Sequence, residues 1–204
     1  MKVAVAAIVV VAVLLSTGIV LFFNGYGPMA LRDKRVVKLK SPAAAKERID
    51  EFLRATMDGI SPPVTYLGGD YQVTREHDHW DGEPNLKSQL FGWVTLRTRI
   101  SSVKLPVLLD QISRIWEHSG CSPVSRSVPE KYNPGLASLR CEAGDYLFVD
   151  LIASSNGAYD TVSFGANLDF VRYRPAGEYG PVPPLAKRPK GDHDADTDDP
   201  YWSH

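Results

Sequence analysis

The densest concentration of chemistry-bearing side chains in the sequence is Glu76-His77-Asp78-His79-Trp80-Asp81. Two imidazoles one residue apart, flanked by carboxylates, are a donor set that suits zinc, copper or nickel. His77, His79 and Asp81 are therefore the candidate ligands, with Asp78 beside them. The spacing supplies no third histidine, so a metal site would need Asp145 or His118 from another segment. Without that convergence the stretch reads as a solvated polar loop, and no metal or cofactor is expected. The two cysteines, Cys121 and Cys141, are too few for a four-ligand structural zinc site but enough for one disulfide. If 121–127 and 136–142 pair as a hairpin, the thiols stand opposite each other and can close a loop worth about 3 kcal/mol. Two buried free thiols are the alternative in a reducing compartment. Arg97 and Arg99 lie beside Trp93 and could receive a carboxylate, a phosphate or an aromatic ring. The plainer reading is a solvent face with arginine stems covering the indole.

Other chemistry is missing from the pattern. No Gly-x-Ser-x-Gly, no phosphate-cradling glycine loop and no dinucleotide fingerprint occurs. The alternating aspartates of 192–198 begin like a calcium loop but lack the glycine at position six and the glutamate at position twelve. A formal net charge of -1 argues against a nucleic-acid partner, which would demand a basic surface. No catalytic residue is assigned.

The elements that must position these groups follow from periodicity. Val3 to Phe23 is uncharged and almost wholly apolar. About 20 such residues span a hydrocarbon core, whereas the apolar region of a cleaved signal is roughly 7–15 residues. An uncleaved signal-anchor over 1–23 is expected, with a cleaved signal as the alternative. No lipid-attachment cysteine follows the run. A basic linker over 24–40 leads to the folded part. The five basic residues from Arg32 to Lys40 favour a cytoplasmic domain by the positive-inside rule. A Met-Lys start before an apolar run, together with the cysteines, favours an extracytoplasmic one. The expectation is a single-pass plasma-membrane protein with its domain outside.

Within 41–174, Ser41-Pro42 caps a helix whose apolar side carries Ile49, Phe52, Leu53 and Met57, stopped by Gly59. Pro106 opens a second helix with Leu105, Leu108, Leu109, Ile112, Ile115 and Trp116 in one stripe, ended by Gly120. Strands are expected at 64–67 and 71–75, split by Gly68-Gly69, with a loop over 76–89. The run from Phe91 to Ile100 alternates, with Val94, Leu96 and Ile100 on one side and Trp93, Thr95, Arg97 and Arg99 on the other. Further strands are read at 136–141, 145–153, 161–164 and 168–173, with an Asn156-Gly157 turn. Helices with a single apolar face must lie on a sheet. The fold class is α+β: a two-layer domain with two helices on a mostly antiparallel sheet. Residues 175–204, rich in Pro and Asp, are expected to be a disordered, solvated tail.

The helix from Leu108-Leu109-Asp110 to Trp116, the Gly120 stop, the turn and strand Glu142-Ala143-Gly144-Asp145-Tyr146 and the Asn156-Gly157 hairpin together resemble small membrane-anchored or lipoprotein-like proteins of actinobacteria. The resemblance covers about 42–173 and is structural. It implies an envelope location and carries over no functional residue. The functional expectation is a membrane-anchored envelope protein whose domain binds a partner protein or an envelope component. A metal-dependent or hydrolytic enzyme built on the 76–81 loop is the first alternative, and a cytoplasm-facing regulatory domain is the second.

Overall fold

Ser41 starts the first helix as expected. Its side chain accepts a hydrogen bond from the Ala44 amide at 3.2 Å, and α1 runs over Pro42–Gly59. In the computed structural model, which describes residues 38–77, 84–127, 136–155, 159–182 and 195–204, α1 buries Ile49, Phe52, Leu53 and Met57. The second helix, α2, spans Leu105–His118 and buries Leu108, Leu109, Ile112 and Trp116. Gly120 ends it with φ +94°, a left-handed conformation that a side chain would oppose. The Gly120 amide then bonds to Glu117 O and the Cys121 amide to Trp116 O, which satisfies the terminal carbonyls.

Seven strands form one antiparallel sheet: β1 (Tyr66–Gly68), β2 (Gln72–His77), β3 (Pro84–Leu96), β4 (Ser125–Ser127), β5 (Leu136–Glu142), β6 (Leu147–Ser155) and β7 (Asp160–Arg172). The order across it is β1-β3-β7-β6-β5-β4, and β2 also pairs with β3. β1 and β2 lie end to end along the same edge of β3, Gly68 facing Val94 and Gln72 facing Phe91. Gly69 and its neighbours interrupt them where the break was expected. Both helices pack on one face of this sheet, so the α+β two-layer expectation holds.

The core is one cluster in which Leu90, Val94, Leu96 and Ile100 meet Leu151, Val162 and Leu168 under the helices. The helices are pinned together by polar atoms as well. The Trp116 indole donates to Thr56 Oγ1 at 3.1 Å, and that hydroxyl donates to Phe52 O at 2.9 Å, so both buried groups are satisfied.

Four features differ from the sequence expectation. The expected loop over 76–89 is strand from Pro84 onward, because β3 continues past Phe91 to pair with β2 and β7. β7 is one strand of 13 residues rather than two. Gly165, Ala166 and Asn167 read as a break by propensity, yet they are laddered on both sides, and the irregularity falls at a bulge between Ser88 and Leu90 with Phe170 at φ +58°. Lys40 belongs to the domain rather than to a linker, since its amide bonds to Phe170 O at 2.9 Å and its carbonyl accepts from the Arg172 amide at 3.0 Å.

The fourth difference is the tail. Val182 bonds to Gly69 O at 2.7 Å, and residues 195–204 return to the segment 97–101. Trp202 is fully buried there, its indole donating to Pro62 O at 2.9 Å. An Asp-rich composition hid this single anchoring tryptophan. Among the described residues no helix is long and apolar enough to cross a membrane, and the run Val3 to Phe23 lies outside them.

Candidate functional site

A sheet covered by helices on one face leaves the other face to be explained. The pleat sends Leu90, Gly92, Val94 and Leu96 of β3 into the core and Phe91, Trp93 and Thr95 outward. The pairing registers then fix what neighbours what. One row across the strands reads Gln72, Phe91, Asn167, Phe148 and Glu142. The next reads Trp93, Gly165, Asp150, Arg140 and Ser125, and a third reads Thr95, Ser163, Ile152 and Ser138.

Two aromatic rings dominate this face. Phe91 and Trp93 lie 5.7 Å apart with planes 15° from parallel, both partly exposed. Each occupies space that only glycine leaves free. A Cβ on Gly165 would stand 2.6 Å from the Phe91 ring, and one on Gly69 would stand 2.7 Å from the Trp93 ring. The rings are thus seated over backbone on either side of β3. Around them lies a depression of about 240 Å³ lined by Gln72, Phe91, Trp93, Asp150, Ile152 and Ser163. A second depression of about 510 Å³ lies across β6 and β5, with Phe148, Arg140, Ser125 and Pro123, and Asp150 borders both.

Asp150 is the charged group at this junction. Burial lifts its carboxyl above the ordinary carboxylate range, and Arg140, directly opposite on β5, partly offsets the rise. Thr95 and Ser163 hydroxyls bond to each other at 2.9 Å beside it. Phe148 and Ile152 are 38% and 40% exposed, high for apolar side chains flanking a half-buried aromatic pair. At the end of the face Asp169 is also raised, first by burial and then by Glu76, while the Gln89 amide lowers it.

The residues singled out by sequence meet different fates. His79 and Asp81, with Asp78, lie outside the described residues, as does the side chain of His77 at the end of β2. Among the described residues no three His, Cys, Asp or Glu side chains come together as a metal site. Of the two candidate third ligands, His118 has its Nδ1 2.6 Å from Arg114 O at the end of α2, and Asp145 lies in the β5–β6 turn at φ +52°.

Cys121 and Cys141 are joined, S–S 2.08 Å and Cα–Cα 5.6 Å. The two are not opposite each other in the expected hairpin: the ladder sets Ser125 opposite Arg140, so Cys121 reaches Cys141 from before β4. Arg97 and Arg99 do receive carboxylates, from the chain's own C-terminal segment. Arg97 holds Asp196 through two nitrogens at 2.9 and 2.6 Å, and Arg99 bonds Ala195 O and Asp198, both at 3.1 Å. The guanidinium holds the Asp196 carboxyl below its ordinary value.

A buried polar group that periodicity did not flag is Asp50. It sits inside the apolar stripe of α1, paired with Lys46 and accepting from the Tyr71 hydroxyl. Burial, then Asp50, hold that phenol protonated well above its ordinary range. Its partners are all internal, so it serves packing. Beside a third depression of about 590 Å³, at Gly59 and Ser61, Gln111 bonds both the amide and the carbonyl of Ser61.

Phe91, Gly165 and Asp150 were not singled out from sequence. Their signal was the outward half of the β alternation, where Phe91 to Thr95 and Phe148 to Ile152 place aromatic and aliphatic side chains on a side that should be polar. The chain matches no protein-family model, no curated protein and no solved structure, so the open face of the sheet is characterised by its own geometry.

Proposed function

We propose that the chain is a membrane-anchored envelope protein whose domain, held outside the plasma membrane by the Val3 to Phe23 segment, binds a partner through the open face of its sheet. The observation that carries this reading is the Phe91–Trp93 pair, seated over Gly165 and Gly69 and continued by exposed Ile152 and Phe148. A face kept merely soluble would carry polar side chains at those outward positions. Holding two large rings over glycine gives up local β-propensity, which a binding surface explains. The Cys121–Cys141 bond supports the location, because disulfides persist in oxidising compartments.

Two measurements test the reading in cells. A thiol introduced as Val103→Cys, at a position 77% exposed, should react with a membrane-impermeant maleimide in intact cells. Reaction only after lysis would place the domain in the cytoplasm and overturn the location. A photoreactive side chain at Ile152 should give an adduct that Trp93→Ala abolishes. An adduct from the same photoreactive side chain at Val103, with none from Ile152, would move binding off this face.

A further inference from the structure

The chemistry of a ligand for this face can be narrowed from its shape, its charge and the kind of polar groups it offers. Two depressions bordering the same carboxylate make a track across the strands rather than a closed pocket. From β2 to β4 that track crosses five strand intervals, roughly 24 Å at the usual inter-strand spacing. Its length suits a chain-like ligand. A nucleic acid is disfavoured, because the track carries Asp150 and Glu142 against Arg140 and among the described residues offers no basic stripe to meet phosphates. A peptide strand would gain its main-chain hydrogen bonds at a sheet edge, whereas a sheet face offers it no ladder.

What the face does offer is an aromatic surface beside polar groups that include both a strong acceptor and a strong donor. The negative π-face of an aromatic ring attracts the weakly positive C–H groups of a pyranose. Sugar hydroxyls donate and accept together, so a carboxylate and a guanidinium facing each other across a ladder, as Asp150 and Arg140 do, satisfy both halves.

We propose that the open face is a glycan-binding track: an uncharged polysaccharide chain lies across the strands, one sugar ring against Phe91 and Trp93 and the hydroxyls of the next on Asp150 and Arg140. This rests on the reading of the face as the binding surface and names its ligand class. Opposed Asp150 and Arg140 leave little net charge in the middle of the track, so the preferred polymer is uncharged rather than a polyuronate or a phosphorylated chain.

The test is calorimetric titration of the full chain, purified in a sugar-free detergent, with hexamers of glucose and of N-acetylglucosamine in α and β linkage. Saturable binding of at least one hexamer is expected, weakened roughly tenfold or more by Trp93→Ala. Asp150→Asn, which preserves shape, should also weaken it several-fold while the near-ultraviolet circular dichroism stays unchanged. That variant separates lost contact from lost fold. No binding by any hexamer overturns the glycan assignment, as does binding unaffected by both substitutions. If hexamers fail while the Ile152 photoadduct is a protein, the face binds a protein and only the ligand class falls. A molecular mass that doubles with concentration and reverts in Ile152→Asp would assign the face to a second copy of this chain. If hexamers and photoadduct both fail, the binding-face reading falls too.

Discussion

Asp150 shows how a side chain can cost stability at a place where, on the proposed binding face, it would serve recognition. Its pKa is raised in the folded state, so the folded protein binds a proton more readily than the unfolded chain does. The sign follows directly. Any stability tied to this group is present at low pH and is lost as the pH climbs through the unfolded carboxylate value, about 3.9, towards the higher folded one. At neutral pH the ionised carboxylate is a net cost, reduced by Arg140 and by solvent. Asp150→Asn is therefore expected to leave stability at pH 7 unchanged or raise it by up to about 1 kcal/mol, after allowing for screening. Urea unfolding at pH 4 and pH 7 checks this, and the gain should shrink at the lower pH. Loss of stability at pH 7 would mean that Asp150 supports the fold.

The same logic with opposite sign governs Asp196. Its carboxyl is depressed by Arg97, so what it contributes is present above the unfolded value and fades as the pH falls through the folded one. Both partners are about 40% exposed, which keeps the contribution small.

At the scale of the element, β3 and β7 are the instructive pair. The alternation from Phe91 onward is legible in the sequence because Val94 and Leu96 of β3, and Ile100 beyond its end, are all buried. The first half of β3 was not, since Pro84 to Gln89 is polar and its strand character comes from partners on both sides. β7 is not legible as one strand for the same reason: local propensity marks Gly165 as a break and does not register the aromatic ring lying over it.

That contact makes a prediction of its own. Gly165→Ala would set a Cβ 2.6 Å from the Phe91 ring and 3.1 Å from Gly92 O. It should destabilise the domain by about 1–3 kcal/mol through overpacking. Combined with Phe91→Ala, the loss should be smaller than the two single losses added together, because the clash disappears with the ring. A thermal or urea double-mutant cycle reads this coupling. Strict additivity would show that Gly165 answers to something other than Phe91.

For the molecule as a whole, the two-layer class was legible because helix stripes and strand alternation are properties of local sequence. The closure of the domain was not, because it depends on residues far apart. Trp202 reaches Pro62, Ser203 Oγ donates to Arg99 O, and Asp199 accepts from the amides of Tyr201 and Trp202, all within a segment whose composition reads as solvated. One large apolar side chain outweighs several flanking aspartates when it is fully buried, since composition averages over what packing concentrates. Trp202→Ala is accordingly expected to lower the unfolding free energy by about 3 kcal/mol, whereas removing the solvent-screened surface pair by Arg97→Ala should cost clearly less. Equilibrium denaturation of the two variants side by side tests the ranking. If both were mild, the 195–204 segment would be an ornament rather than part of the core.

The pleat of β3 places two histories on one strand. Leu90, Gly92, Val94 and Leu96 answer to the helices beneath, while Phe91, Trp93 and Thr95 would answer to the ligand of the proposed binding face. Lineages descended from this chain that exchanged one ligand for another would keep the first set and trade the second. Divergence along 90–96 would then run in a period of two, a record of partner choice written at every other residue.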